Sequence, residues 1–192
     1  MHTNVKVKIA TPLGTHSFFS ALQPLGILTL LMNTALVFPV QGATSTPPTI
    51  AVFEFELEDV SAAGAASKVE SAADVLRMHT VTNEARRVLK ESGRFNLVDT
   101  SGVSAEAVKQ RTLRSCNGCD SAIAMTLGAD LSLIGVVTRV AQTEYYASLQ
   151  ITDTKTGKVV EQQNAFFTGA DDAWASGVRM LLKHGILADP IG

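Results

Sequence analysis

Apolar and polar residues follow one another along this chain in two rhythms, and a long apolar run precedes both. Thr49 to Glu56 (TIAVFEFE) steps with period two: Ile50, Val52 and Glu54 share one face, while Ala51, Phe53 and Phe55 share the other. Both faces are apolar at its start, which predicts an interior strand covered on two sides. Leu57 to Ser67 mixes acids, serines and alanines with one glycine and reads as a loop. From Val69 to Ser92 the rhythm becomes helical. Val75, Met78, Val81, Ala85, Val88 and Leu89 recur at three- and four-residue steps, and Gly93 supplies the stop. Arg94 to Asp99 (RFNLVD) is the second strand. Two parallel strands joined by a helix make a right-handed crossover.

Ser104 to Leu113 predicts a short helix capped by Ser104, and Asp120 to Leu127 another that ends at Gly128. Leu131 to Val140 is the third strand. Its LSLIGVV half is apolar on both faces, which makes it the central one, and Gly135 offers a neighbouring helix a close approach. Tyr145 to Asp153 alternates with one wetter face, DTKTGK supplies turn residues, and Lys158 to Phe167 returns as the last strand of a hairpin. Asp171 or Asp172 then caps a final helix with Trp174, Val178, Leu181 and Leu182 along one side. At their spacing Tyr145, Tyr146, Phe166, Phe167 and Trp174 belong mostly to the core. The expected fold is α/β: a mixed five-stranded sheet in the order 2-1-3-4-5, three strands parallel and the last three an antiparallel meander, with helices packed on it.

The start of the chain changes how much of it this fold uses. Lys6 and Lys8 are the only Lys, Arg, Asp or Glu residues before Glu54, and an apolar run from Leu25 to Val40 leads to small residues at Gly42 and Ala43. That is the pattern of a secretory signal peptide. The run contains Asn33 and Pro39 and is shorter than the roughly 20 apolar residues of a membrane-spanning helix. Residues 1–42 are therefore expected to be removed, 43–48 (ATSTPP) to form a flexible arm, and 49–188 to form a single domain. No cysteine lies near the cut, so a lipidated amino-terminal cysteine is not expected, and no membrane span remains after cleavage. The leader holds two lysines and no acid, so the remainder carries 14 basic against 18 acidic side chains. A net charge of −4 gives no electrostatic reason to bind nucleic acid or anionic lipid.

Candidate chemistry is sparse. Cys116 and Cys119 are the only cysteines, in CNGC, and an oxidising compartment should join them as a disulfide. A redox-active pair is the alternative, because Cys119 beside a helix start invites a lowered thiol pKa. A thioredoxin-like protein, however, places CxxC after an early strand. A haem would need His where Asp120 stands, and zinc would need further ligands. The acids Glu54, Glu56, Glu58 and Asp59 cluster where the first strand ends, close to the usual crevice of an open sheet, and make Glu56, Glu58 and Asp59 candidate ligands for a hard cation. A solvated edge explains them equally. EDVSAAGAASK is no phosphate loop, no GxSxG occurs, and Asp99 and Asp130 suit turns and caps better than acid–base chemistry. No cofactor and no enzymatic activity are expected.

The AVFEF strand, the helix ending SGRFNLVD, the LGADLSLIGVV strand and the ITDTKTGKVV hairpin together resemble one periplasmic fold. It is that of the amino-terminal domain of TolB, the CsgG curli-secretion family and the outer-membrane activators of penicillin-binding proteins. With its CNGC and tryptophan-bearing last helix, the chain also resembles a family of exported proteobacterial proteins defined only as a domain of unknown function. The resemblance runs from Ile50 to about Leu182. It implies a non-catalytic periplasmic accessory module that binds a periplasmic or outer-membrane protein, or a second copy of itself. The runner-up readings are a thiol–disulfide protein using Cys116 and Cys119 and a small-ligand or cation binder. CsgG-type pore hairpins have no room in this chain.

Overall fold

The computed structural model describes residues 46–67, 70–103, 112–170 and 173–188. All lie in one compact unit that begins at Thr44. The expected leader, the Ser104 helix up to residue 111 and the candidate caps Asp171 and Asp172 fall outside the described residues.

Six strands form one mixed sheet: β1 (Thr49–Val52), β2 (Glu56–Asp59), β3 (Asn96–Val98), β4 (Leu131–Ala141), β5 (Glu144–Asp153) and β6 (Val159–Thr168). The order is β3-β1-β4-β5-β6, with β2 also beside β4. β1 is parallel to both β3 and β4, and β2 is parallel to β4; β4, β5 and β6 are antiparallel. This is the expected order, and β4 is the shared central strand. The helices are α1 (Ala62–Ser67), α2 (Ala72–Ser92), α3 (Cys119–Thr126) and α4 (Ala173–Leu181), the last running on into a π-helical turn at Leu182–Ile186.

The first strand is not one strand but two, and the break matters. Val52 lies opposite Leu133 and Glu56 opposite Val136, so four steps along one strand match three along its neighbour. One extra residue has been inserted, and an insertion inverts the faces of everything after it. Phe55 consequently joins Ile50 and Val52 in the larger core instead of following Ala51 and Phe53 into the smaller one. Gly135 accommodates this, because a Cβ there would overlap the Phe55 ring. The close neighbour is an aromatic ring, not the expected helix. Leu57 to Ser67 likewise holds the rest of β2 and the short α1 rather than a loop.

α2 and α4 cover one face of the sheet. Ser71 caps α2 by accepting a hydrogen bond from the Asp74 N–H (3.1 Å), and Gly93 at φ 66° ends it in the left-handed region. Met78, Val81, Ala85, Val88 and Leu89 are buried against Ile50, Leu133, Leu149 and Trp174. Val75 stays 42% exposed, and Asp74 is buried in its first turn instead. On the other face a smaller cluster of Ala51, Phe53, Leu113, Ala124 and Ala129 sits under α3.

Glu84 on α2 binds Arg87 on its own helix (2.7 Å) and Arg179 on α4, so it ties the two covering helices together. The Arg87 hydrogen bonds, then those of Arg179 against the opposing effect of burial, bring its carboxyl down to about 2 from 4.5. A folded pKa below the unfolded one gives stability that is present above pH 4.5 and lost as pH falls towards 2. Glu84→Gln should therefore flatten the acid limb of a stability–pH curve while changing its slope near neutrality little. An unchanged acid limb would reject this.

Candidate functional site

The CNGC turn is placed from two sides. Cys116 and Cys119 are bonded to each other, with Cα atoms 5.7 Å apart. The residues between them are both left-handed, Asn117 at φ 49° and Gly118 at φ 100°. Asparagine and glycine are the residues that tolerate this conformation best. Upstream, a 3-10 turn (Leu113–Ser115) buries Leu113, whose N–H donates to Glu56 Oε1, while Arg114 donates to Leu57 O (3.2 Å). Downstream, α3 buries Asp120, which accepts from Ser132 Oγ on β4 (2.6 Å). The disulfide turn is thus pinned to β2 and β4.

Beside it the described residues leave the sheet open. The residues of β4, β5 and β6 that point away from α2 and α4 include Ile134, Val136, Thr138, Tyr146, Ser148, Gln150, Gln162, Asn164 and Phe166, none of them buried. A groove of about 460 Å³ runs between this face and the disulfide turn, lined by Arg114, Asn117, Asp120, Ile134, Val136 and Gln150 among others. At the far end Phe166 packs against Tyr146 with ring centroids 4.8 Å apart, yet is 75% exposed. Tyr145 and Trp174 are core, as expected, and Phe167 packs partly buried against that core. Tyr146 and Phe166, on the open face, are the exceptions.

The acids at the end of the first strand point to two sides of the sheet. Glu56 and Glu58 share the open side, and Asp59 points to the helix side. Glu56 accepts from Leu113 N–H and lies 3.6 Å from Arg114, and burial raises its carboxyl pKa against both. Glu58 accepts from Thr138 Oγ1 (3.1 Å). Asp59 accepts from Ser61 Oγ (2.6 Å) and from Arg139 Nη1 (2.6 Å). Among the described residues no group of three or more His, Cys, Asp or Glu side chains is arranged to hold a metal.

Arg139 makes a network that the sequence pattern does not disclose. It bridges Asp59 on β2 and Asp74 on α2, and its guanidinium lies 5.2 Å from the centre of the Trp174 ring. Arg77, paired with Asp74 at 2.7 Å, lies 5.7 Å from the centre of the same ring. Burial pushes both carboxyls up, but hydrogen bonds overcome it: Arg139, Ser71 and Arg77 at Asp74, and Ser61 and Arg139 at Asp59. Both pKa values end below the usual range. Only the unbalanced charge of an arginine on an otherwise half-apolar central strand signals the network in the sequence.

A second cavity of about 640 Å³ opens at the carboxyl ends of β1 and β3, with Phe53, Leu97 and Val98 as walls and His79 and Arg86 at its rim. Arg86 donates to Val52 O (2.9 Å) and Thr100 Oγ1 (3.0 Å), and His79 Nδ1 lies 2.7 Å from Glu54. Asp99 and Asp130 serve local structure. Asp99 accepts from Ser101 N–H (2.9 Å), and Asp130 accepts from both the N–H and the hydroxyl of Thr49 (3.1 and 2.8 Å).

No curated protein matches the chain. Among solved structures it is similar to the carboxy-terminal domain of LpoB from Salmonella enterica, with 16% identity over 67% of this chain and 87% of that one and a TM-score of 0.47. It is also similar to lipoprotein GNA1162 from Neisseria meningitidis, with 18% identity over 74% and 95% and a TM-score of 0.46. For TolB from Acinetobacter baumannii the values are 13% over 74% of this chain and 29% of that one, with a TM-score of 0.42. Residues 48–186, nearly all of the described domain, match the family model described as "Protein of unknown function (DUF2380)", and the chain belongs to that family.

Proposed function

We propose that this chain is a non-catalytic accessory module, exported to the periplasm after loss of residues 1–42, that docks a partner protein on the open face of its β-meander. The observation that carries this reading is the uncovered face itself: two helices protect one side of β4, β5 and β6, while the other exposes Phe166 beside Tyr146 and ends in the groove under the disulfide turn. Tyr146 and Phe166, packed ring against ring on that face and rimmed by amides and hydroxyls, make a local apolar patch of the kind found in protein contact surfaces. The Cys116–Cys119 bond acts as a brace for the groove wall. No helix among the described residues is long and apolar enough to cross a membrane.

A photo-crosslinking residue at position 150, on the groove, should capture a partner in the cell envelope, while the same residue at Leu76, exposed on the far side of α2, should not. Equal capture from both positions would defeat the proposal. Replacing both cysteines by serine should cost about 2 kcal/mol of stability on the loop-closure model. Partner capture should survive at temperatures where the variant stays folded. Loss of capture with the fold intact would make the thiols, rather than the surface, the functional element.

A further inference from the structure

β6 is the last strand of the sheet, and no strand among the described residues pairs with its outer edge. Natural proteins blunt such an edge with lysine, proline, a covering helix or a bulge. From Glu161 to Thr168 the strand itself has no lysine, proline or bulge: the sequence is EQQNAFFT, with one charge, and its only irregularity lies before Glu161.

The direction of its free hydrogen-bonding groups follows from the hairpin. Gly169 N–H donates to Thr143 O (3.1 Å), so the odd-numbered residues of β6 face β5 through the backbone. The N–H and C=O groups of Gln162, Asn164 and Phe166 therefore point outward. Their side chains lie on the open face and are exposed.

We infer that the partner of this edge is β6 of a second copy of the chain, paired antiparallel about a two-fold axis at Asn164. This extends the docking reading above to self-association, although the two are tested separately. In that register the outward residues meet only one another: Asn164 faces its mate, Gln162 faces Phe166 of the second copy, and Phe166 faces Gln162. All their free backbone groups are satisfied, and the regular stretch from Glu161 to Phe167 pairs throughout. Registers shifted towards either end pair fewer residues. The two copies of Glu161, the only charge on the strand, lie six residues apart along the axis, about 20 Å. Like charges are thus separated, whereas a register centred on Glu161 would oppose them. The exposed Phe166 ring gains a cross-strand neighbour on its free side.

The test uses the chain purified from the cell envelope. Sedimentation should show a reversible dimer. Asn164→Lys, which sets two ammonium groups face to face at an exposed position, should weaken the dimer about tenfold or more, with circular dichroism unchanged. Asn164→Cys should be joined efficiently by a short bifunctional reagent carrying two thiol-reactive maleimides, since mates in a hydrogen-bonded pair have Cα atoms about 5.5 Å apart; Glu161→Cys should not be. A monomer at every concentration overturns the proposal, as does a dimer indifferent to Asn164→Lys or one crosslinked equally well from both positions. Crosslinking of an envelope partner from position 150 is a separate readout, so the docking surface can stand when the self-pairing falls.

Discussion

Replacing Arg139 by alanine should lower the stability of the domain by about 3 kcal/mol, because removing one member of a buried ionic cluster strands the others. Arg139 is the cation shared by Asp59 and Asp74, whose side chains keep only 21% and 8% of their exposure. Arg77 still reaches Asp74, but Asp59 would retain only Ser61. Urea unfolding followed by fluorescence of Trp174, the only tryptophan, reads both consequences at once. The midpoint should fall, and the folded-state emission should change because the guanidinium leaves the ring. The pH dependence has a defined sign. Both carboxyls are held below their ordinary values, so their contribution is present above the usual carboxylate range and is lost as pH falls through the folded values. Arg139→Ala should therefore lose less on acidification than the parent does. Asp59→Asn in the Arg139→Ala background should recover part of the loss. A cost below about 1 kcal/mol, the range of exposed ion pairs, would show that the cluster is a surface feature.

Gly135→Val should cost about 3 kcal/mol, at the upper end of what overpacking costs in cores. The Phe55 ring occupies the space a side chain would need on the central strand, and Phe55 is only 3% exposed. It cannot swing into water without emptying its own site. Phe55→Leu alone should be moderately destabilising, and combined with Gly135→Val it should return part of the lost stability. Thermal melts of the two single variants and the double variant form a cycle with a coupling term of opposite sign to the single effects. Additive losses would mean that ring and strand do not compete for the same volume.

What the sequence discloses depends on how local its cause is. The strand order follows from the rhythm of apolar residues, because the doubly apolar LSLIGVV has to lie between two neighbours, and β4 does. The hairpin was legible in DTKTGK, where Asp153 accepts from Thr156 N–H (2.7 Å) and Gly157 takes φ 66°. Period-two reasoning failed at Phe53 to Phe55. An inserted residue leaves no compositional mark; it appears only when the neighbouring strand is there to count against. Glu56, Glu58 and Asp59 look like one group only because they are close in sequence; alternation alone sends Asp59 to the other face. Val75 was misplaced because tertiary pairing outranks periodicity: Asp74 turns inward to meet Arg139, 65 residues away. Phe166 looked like core because its neighbours Ala165 and Phe167 are, and alternation alone does not say which face a helix will cover.

The supernumerary residue near Glu54 sets a kind of reading frame in space. Upstream of it, even-numbered side chains address α2; downstream, odd-numbered ones do. Deleting one residue there would transpose the remainder of the strand, thrusting Glu56 and Glu58 beneath the helices and turning Leu57 out to water, with no amino acid changed in kind. A single codon of length, rather than any change of residue type, decides which way this one strand turns its apolar side.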